Sequence, residues 1–243
     1  MCGRYFLSRP PAALARLFRT VDPVPNAPPR FNVAPTQDSL VVRRNPETGA
    51  RHLDLLRWGL LPIWAKDAAI GARMINARAE SLAEKPAFRD AYAKRRCLVP
   101  IDGFYEWAEV PGQRRKQPYA VALRSGEPMA LAGLWERWRA PDGSILRTFA
   151  VVTCPAAPLL ARLHERMPVV LPPEAWPLWL GEAEGDPASV LRPMDGSAFR
   201  IWPVSTRVNA VREDDAGLLE PDPDAPAVPG LEQAEGLGLV PEG

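Results

Sequence analysis

Cys2 carries the most distinctive chemistry in this chain. Removal of Met1, usual when the next residue is small, leaves Cys2 with both a thiol and a free α-amine. The natural target of such a 1,2-aminothiol is an aldehyde. The amine, with an unperturbed pKa of about 7.7 to 8.0, keeps a neutral fraction near pH 7 and condenses to a Schiff base. The thiol of the same residue then closes onto the imine carbon to give a five-membered thiazolidine, an intramolecular step that an internal cysteine could not perform. Other stretches supply groups for proton transfer and charge. "MINARAES" sets Asn76 and Arg78 two residues apart, on one face if the backbone is extended. "DGFYEWA" places Glu106 in an aromatic strand on the same face as Phe104, where a carboxyl can act as general acid or base. "LHERMP" adds His164 and Arg166, and His52 is the other histidine. Each residue alone also has a structural reading. Asn76 caps a turn, the arginines are surface cations, Glu106 pairs with an arginine, and His164 satisfies the last carbonyls of a helix. Trp58, Trp64, Trp107 and Trp135 fill a core unless one is exposed to stack.

The elements that must position these groups are mostly strands. "PAALARLFR" (11–19) predicts a short amphipathic helix that begins at a proline. "SLVVRR" and "RHLDLLRW", separated by the turn "NPETGA", predict an antiparallel hairpin. A helical composition covers 79–95, with Pro86 starting or bending a turn. Strand signals then dominate in "RCLVPIDGFYEWA", "PYAVALR", "PMALAGLWERW" and "ILRTFAVVT", followed by short helices over 155–166 and 172–181 and a last strand at "FRIWPVS". Strands in runs, with helices at the start, middle and end, predict one α+β domain over 2–212 with a curved, barrel-like, mainly antiparallel sheet.

With 243 residues, 47% hydrophobic and 24% charged, the composition is that of a globular protein. The three cysteines, Cys2, Cys97 and Cys154, are odd in number and widely spaced, which predicts reduced thiols in the cytoplasm and excludes a disulfide framework. No apolar run approaches the roughly 18 residues of a membrane span. The first 21 residues hold four arginines and no acid, a presequence-like balance, but Pro10 and Pro11 and the scarcity of serine argue against one. Through Arg212 the chain carries a formal charge of +10, and the nine acids beyond it meet no base. A basic body suggests a polyanionic partner. The Pro- and acid-rich segment 213–243 is expected to be disordered.

Taken in order, the motifs "MCGRY", "FNVAPTQ", "RWGLLPIWAKD", "INARAES", "RCLVPIDGFYEW", "VVTCPA", "LHERMPVVL" and "PVSTRVN" resemble the SOS response-associated peptidase (SRAP) family, whose members cross-link to abasic sites in single-stranded DNA. The resemblance implies Cys2 as nucleophile, Asn76 and Glu106 as its partners, and His164 as the group that opens or stabilises the abasic sugar. It further implies that Arg4, Arg78, Arg166 and Thr153 contact DNA phosphates and that Trp64 meets the DNA. Family members can carry tandem tryptophans there, where this chain has a single one in "PIWAK". The implied partner is single-stranded DNA with abasic sites, bound by a monomer without metal or cofactor. An N-terminal-nucleophile peptidase or amidohydrolase is the alternative enzyme reading. A non-catalytic single-strand binding module would explain the charge but not Cys2.

Overall fold

Asn45 folds the first hairpin back on itself. Its side-chain oxygen accepts the Glu47 N–H at 2.9 Å while its backbone N–H donates to Ala50 at 2.8 Å. The computed structural model describes residues 2–112, 114–226 and 231. Its strands are β1 (Tyr5–Leu7), β2 (Thr20–Val21), β3 (Arg30–Val33), β4 (Asp38–Arg44), β5 (Arg51–Trp58), β6 (Asn76–Arg78), β7 (Arg96–Ile101), β8 (Gly103–Ala108), β9 (Gln117–Leu123), β10 (Met129–Arg139), β11 (Ile145–Pro155), β12 (Arg166–Pro168) and β13 (Phe199–Pro203). The helices are α1 (Pro11–Phe18), α2 (Arg89–Lys94) and α3 (Trp176–Leu180).

Strands β11, β10, β7, β4 and β5 pair in that order, and β5 returns to β11 through Thr148↔Arg57 and Phe149↔Trp58, which closes a five-stranded barrel. The hairpin contacts are antiparallel, as the short turns predict, whereas the closing contact is parallel. A second sheet runs β13-β9-β8-β1-β3. The fold is therefore α+β with a barrel-like, mainly antiparallel sheet.

Strand alternation divides this second sheet between two cores. Tyr5, Phe104 and Val121 join the main core with Trp58, Val99, Leu131 and Phe149. Phe6, Tyr105, Ala120 and Ala122 face a smaller cluster with Trp202, Val208 and Leu218. The connection between β7 and β8 crosses from barrel to second sheet at Asp102. Its carboxylate accepts N–H bonds from Ser8 and Arg9 at 2.7 and 3.2 Å and pairs with the Arg9 side chain at 3.0 Å.

Three expectations are corrected. The helical composition over 79–95 yields only a 3-10 turn at Ala79–Ser81 and α2, because Pro86 has no N–H to continue a helix, and the stretch between is turns. Segment 155–166 likewise forms a single 3-10 turn, Leu160–Arg162. The segment after Arg212, expected to be disordered, is bonded to the body from Glu213 to Asp222. Asp214 accepts the β3 N–H groups of Phe31 and Asn32 and pairs with Arg30. Leu218 is fully buried, Trp202 Nε1 donates to Leu219 at 2.9 Å, and Pro221 bridges to Val204. Asp214, Asp215 and Asp222, which composition counts as solvated charge, serve here as acceptors for backbone N–H groups. Residues 227–230 and 232–243, the rest of that expected tail, lie outside the described residues.

Candidate active site

The backbone of residues 2–4 runs onto β1, and β1 lies against β8 with Phe6 opposite Gly103. A Cβ at Gly103 would collide with the Phe6 ring and approach Val121 O to 2.6 Å, so glycine lets β1 come this close. The Tyr105 N–H donates to Arg4 O at 2.9 Å and continues that pairing towards the N-terminus. Cys2 is thereby set beside Glu106, two residues along β8 from Phe104.

Cys2 is 0% exposed. Burial, and then the Glu106 charge, push its thiol well above the ordinary cysteine range; the N-terminal charge and the Arg4 N–H act weakly the other way. At neutral pH the sulfur is a thiol. Glu106 is also buried, and its carboxyl is raised above the usual carboxylate range by that burial, opposed by the N-terminal positive charge and His164. A carboxyl shifted upward in this way keeps its proton to a higher pH than an exposed one and is the stronger base once it has lost it.

Asn76 reaches the site from β6, which pairs in parallel with β11 through Val151↔Asn76 and Thr153↔Arg78. Ala77 faces the core and Arg78 is exposed, the alternation expected of an extended Asn-Ala-Arg. Asn76 Nδ2 donates to the Cys2 carbonyl at 2.8 Å, and its buried Oδ1 has no hydrogen-bond partner among the described residues. His164 follows the 3-10 turn and donates its backbone N–H to Leu160 at 3.0 Å. Its Nδ1 accepts the Arg166 N–H at 2.9 Å, so the neutral ring carries its proton on Nε2.

The cations divide sharply. Arg78 is exposed and forms no salt bridge among the described residues. Arg166 grips Glu80 with both terminal nitrogens, at 3.0 and 2.9 Å, and bonds Thr153 Oγ1 and O at 3.2 and 2.6 Å. Thr153 is itself fully buried, so its side chain orients Arg166 and does not face the surface. Arg4 donates to Asn32 Oδ1 at 2.8 Å and Val208 O at 2.7 Å and lies 5.9 Å from the Trp107 ring. Burial lowers its pKa.

Among the four tryptophans singled out from the sequence, Trp64 is the exposed one, at 54%, beside Ile63 at 62%. Trp58 is buried and donates to Ile75 O at 2.9 Å, Trp107 donates to Asn209, and Trp135 lies against Arg43. The Trp64 loop is pinned at its base by Gly59, whose φ of +123° and approach to Gly71 O leave no room for a Cβ. That closure returns the chain to Asn76 and Arg78. No group of three His, Cys, Asp or Glu suited to a metal ion occurs among the described residues, and no helix there is long and apolar enough to cross a membrane.

Two residues of this region escape sequence reasoning. Glu80 lies within "ARAES", but its partner Arg166 is far along the chain. Asn32, in "FNVAPTQ", is fully buried; its Nδ2 reaches the carbonyls of Val208, Ala210 and Glu213, at 2.7 Å for the last.

The model of the family "SOS response associated peptidase (SRAP)" matches residues 1–211. The Bacillus subtilis "Abasic site processing protein YoqW" is 38% identical over 225 residues, 90% of this chain and 99% of that protein. The rat "Abasic site processing protein HMCES" is 29% identical, over 91% of this chain and 76% of its own length. A crystal structure of a Bacteroides thetaiotaomicron protein superposes with a TM-score of 0.81 at 22% identity, over 91% of this chain and all of the other; at that identity the likeness is one of fold.

Proposed function

Since the chain belongs to the SOS response associated peptidase (SRAP) family, we propose that it processes abasic sites in DNA by forming a covalent thiazolidine through Cys2. The observation that carries this reading is the seating of Cys2: wholly buried, held through its carbonyl by Asn76, and close enough to Glu106 for that charge to act on the thiol. The names of the relatives supply the lesion; the site supplies the chemistry.

Hydrolytic removal of Met1 frees the Cys2 amine. In single-stranded DNA the ring-opened abasic sugar presents an aldehyde at C1′, and no base has to be displaced. As the ring opens, the His164 Nε2–H steadies the ring oxygen by a hydrogen bond, the Glu106 carboxyl gives that oxygen its proton, and the carboxylate so formed takes up the proton that the C1′ hydroxyl releases. The Cys2 amine adds to C1′, Glu106 moves the proton that lets the hydroxyl leave as water, and a Schiff base results. The sulfur then adds to the imine carbon while the thiol proton passes to nitrogen. Aldehyde and aminothiol become thiazolidine and one water, and the lesion is shielded from strand cleavage. Arg78 holds a flanking phosphate and Trp64 stacks on a neighbouring base. The protein acts as a monomer in the cytoplasm, where its three free cysteines stay reduced.

The wholly buried seat of the thiol, which disfavours a thiolate, supports this order over the peptidase alternative. An acyl-transfer cysteine works as a thiolate, whereas a thiazolidine begins with the amine. Intact mass spectrometry after mixing the Met1-free protein with an oligonucleotide carrying one abasic site tests the reading. The expected product weighs the sum of the two less one water and is absent for Cys2→Ala. A stable adduct with Met1 retained, or none with the free amine, overturns it.

A further inference from the structure

Arg78 and Arg166 meet at one residue of β11, Thr153. Arg78 sits opposite Thr153 across the β6–β11 contact, and the Arg166 side chain is anchored on that same Thr153. Asn76 of the Cys2 pocket is two residues before Arg78, and His164 two before Arg166. A strand that brings its sugar to Cys2 must run its phosphates past both cations. Arg78 is open to receive one. Arg166 is not, because Glu80 occupies its outer edge with a two-point, fork-on-fork contact of the kind by which a guanidinium takes a phosphate. The arginine side chain is 11% exposed and the glutamate 49%, so the carboxylate lies on the solvent side.

We infer that Glu80 is a specificity-determining residue: in the free protein its carboxylate fills the phosphate position on Arg166, and a DNA strand engages that arginine only by displacing it. This rests on the single-strand reading above. The exchange swaps one anion for another on a fixed cation, so it costs affinity for every strand, intact or abasic, without touching the groups that close the ring on Cys2. Non-covalent residence on undamaged DNA is held down while capture at a lesion, which is covalent, is retained. Glu80 thus widens the margin between the two.

The test measures binding of a labelled undamaged single strand by anisotropy across a salt series for wild type, Glu80→Gln, Glu80→Ala, Arg166→Gln and the double variant Glu80→Gln/Arg166→Gln, with thermal melts alongside. Glu80→Gln should bind about two- to tenfold more tightly at low salt. Its log–log salt slope should steepen by roughly 0.7, the value for one more phosphate contact on a single strand. The gain should vanish in the Arg166→Gln background. Cross-linking at saturating abasic DNA should be unchanged in Glu80→Gln. If Glu80→Gln melts early, Glu80→Asp, which keeps the charge but draws it back from Arg166, should show a smaller gain of the same sign. Equal or weaker binding by folded Glu80 variants, or a gain that persists without Arg166, overturns the inference and leaves the functional reading standing. A wild-type protein that binds no single strand overturns both.

Discussion

Asn76 and Cys2 are joined side chain to backbone, Nδ2 to carbonyl oxygen at 2.8 Å, although 74 residues separate them in sequence. The bond fixes Cys2 through its carbonyl, a group that the proposed ring closure leaves alone. Asn76→Ala should cost about 1 kcal/mol of stability, the worth of one hydrogen bond. It should slow cross-linking by roughly 100-fold, since a shift of about 1 Å in a reacting group has that effect. Single-turnover gel assays beside denaturant titrations separate the two. A loss of rate no greater than the loss of stability would mean that Asn76 only braces the fold.

Glu106 makes a pH prediction with a definite sign. Its carboxyl is raised in the folded protein, so the native state holds a proton that the unfolded chain has released. Stability therefore falls as pH climbs from the ordinary carboxyl value of 4.5 through the raised one, and is level above both. Glu106→Gln removes this dependence. Its stability relative to wild type should increase across that window, while its cross-linking rate drops by about 10² to 10⁴. Denaturant midpoints taken from pH 4 to 8 report the first, and parallel curves for the two proteins would rule out the burial assigned to this group.

Trp64→Ala should leave the melting temperature nearly unchanged, within about 0.5 kcal/mol, because the ring is exposed. If the ring stacks on a base, single-strand affinity should fall by about 1 to 3 kcal/mol. Anisotropy titration at fixed salt decides, and unchanged affinity would remove Trp64 from the DNA path.

Truncation distinguishes the two parts of the acidic segment. Ending the chain at Arg212 removes Asp214 from β3 and Leu218 from the smaller core, and should destabilise by several kcal/mol; burial of Leu218 alone accounts for about 2 to 5. Ending it after residue 226 keeps both and removes Leu231 from the main core, so it should lower the melt by less than the loss at Arg212. Six of the nine acids lie in the segment that is retained, so any competition with DNA that depends on the removed part should be slight and confined to low salt. Equal melts for both truncations would show that the packing of 213–226 contributes little.

Local patterns carried much of this molecule. The Asn45 turn, the strand alternation around Glu106 and the extended Asn-Ala-Arg of β6 can all be read from neighbours in sequence. What could not be read depends on distant partners. Asp214 looks like solvated charge until β3 is seen to lack acceptors for two N–H groups. Arg166 looks like a free cation until Glu80 is placed beside it. Thr153 looks like a surface hydroxyl until β11 is recognised as a strand that four others contact. Even the short helix expected before His164 shrinks to one turn, because β12 begins immediately after it.

The parallel seam between β5 and β11 also sets an order of events. Thr148 and Arg57 meet across the barrel although they are about 90 residues apart, and closing so long a loop is entropically costly. On the ribosome β4, β5 and β7 emerge before β11 and form an open, curved ribbon whose β5 edge is covered only at its start, by β2. β11 supplies the missing edge, and the same strand lays β6 with Asn76 alongside it. The pocket for Cys2 therefore assembles only once β11, about 140 residues further along the chain, has been made. Until then Cys2 has no Asn76 to hold it, so under the proposed function the peptide bond whose hydrolysis frees its amine stays accessible.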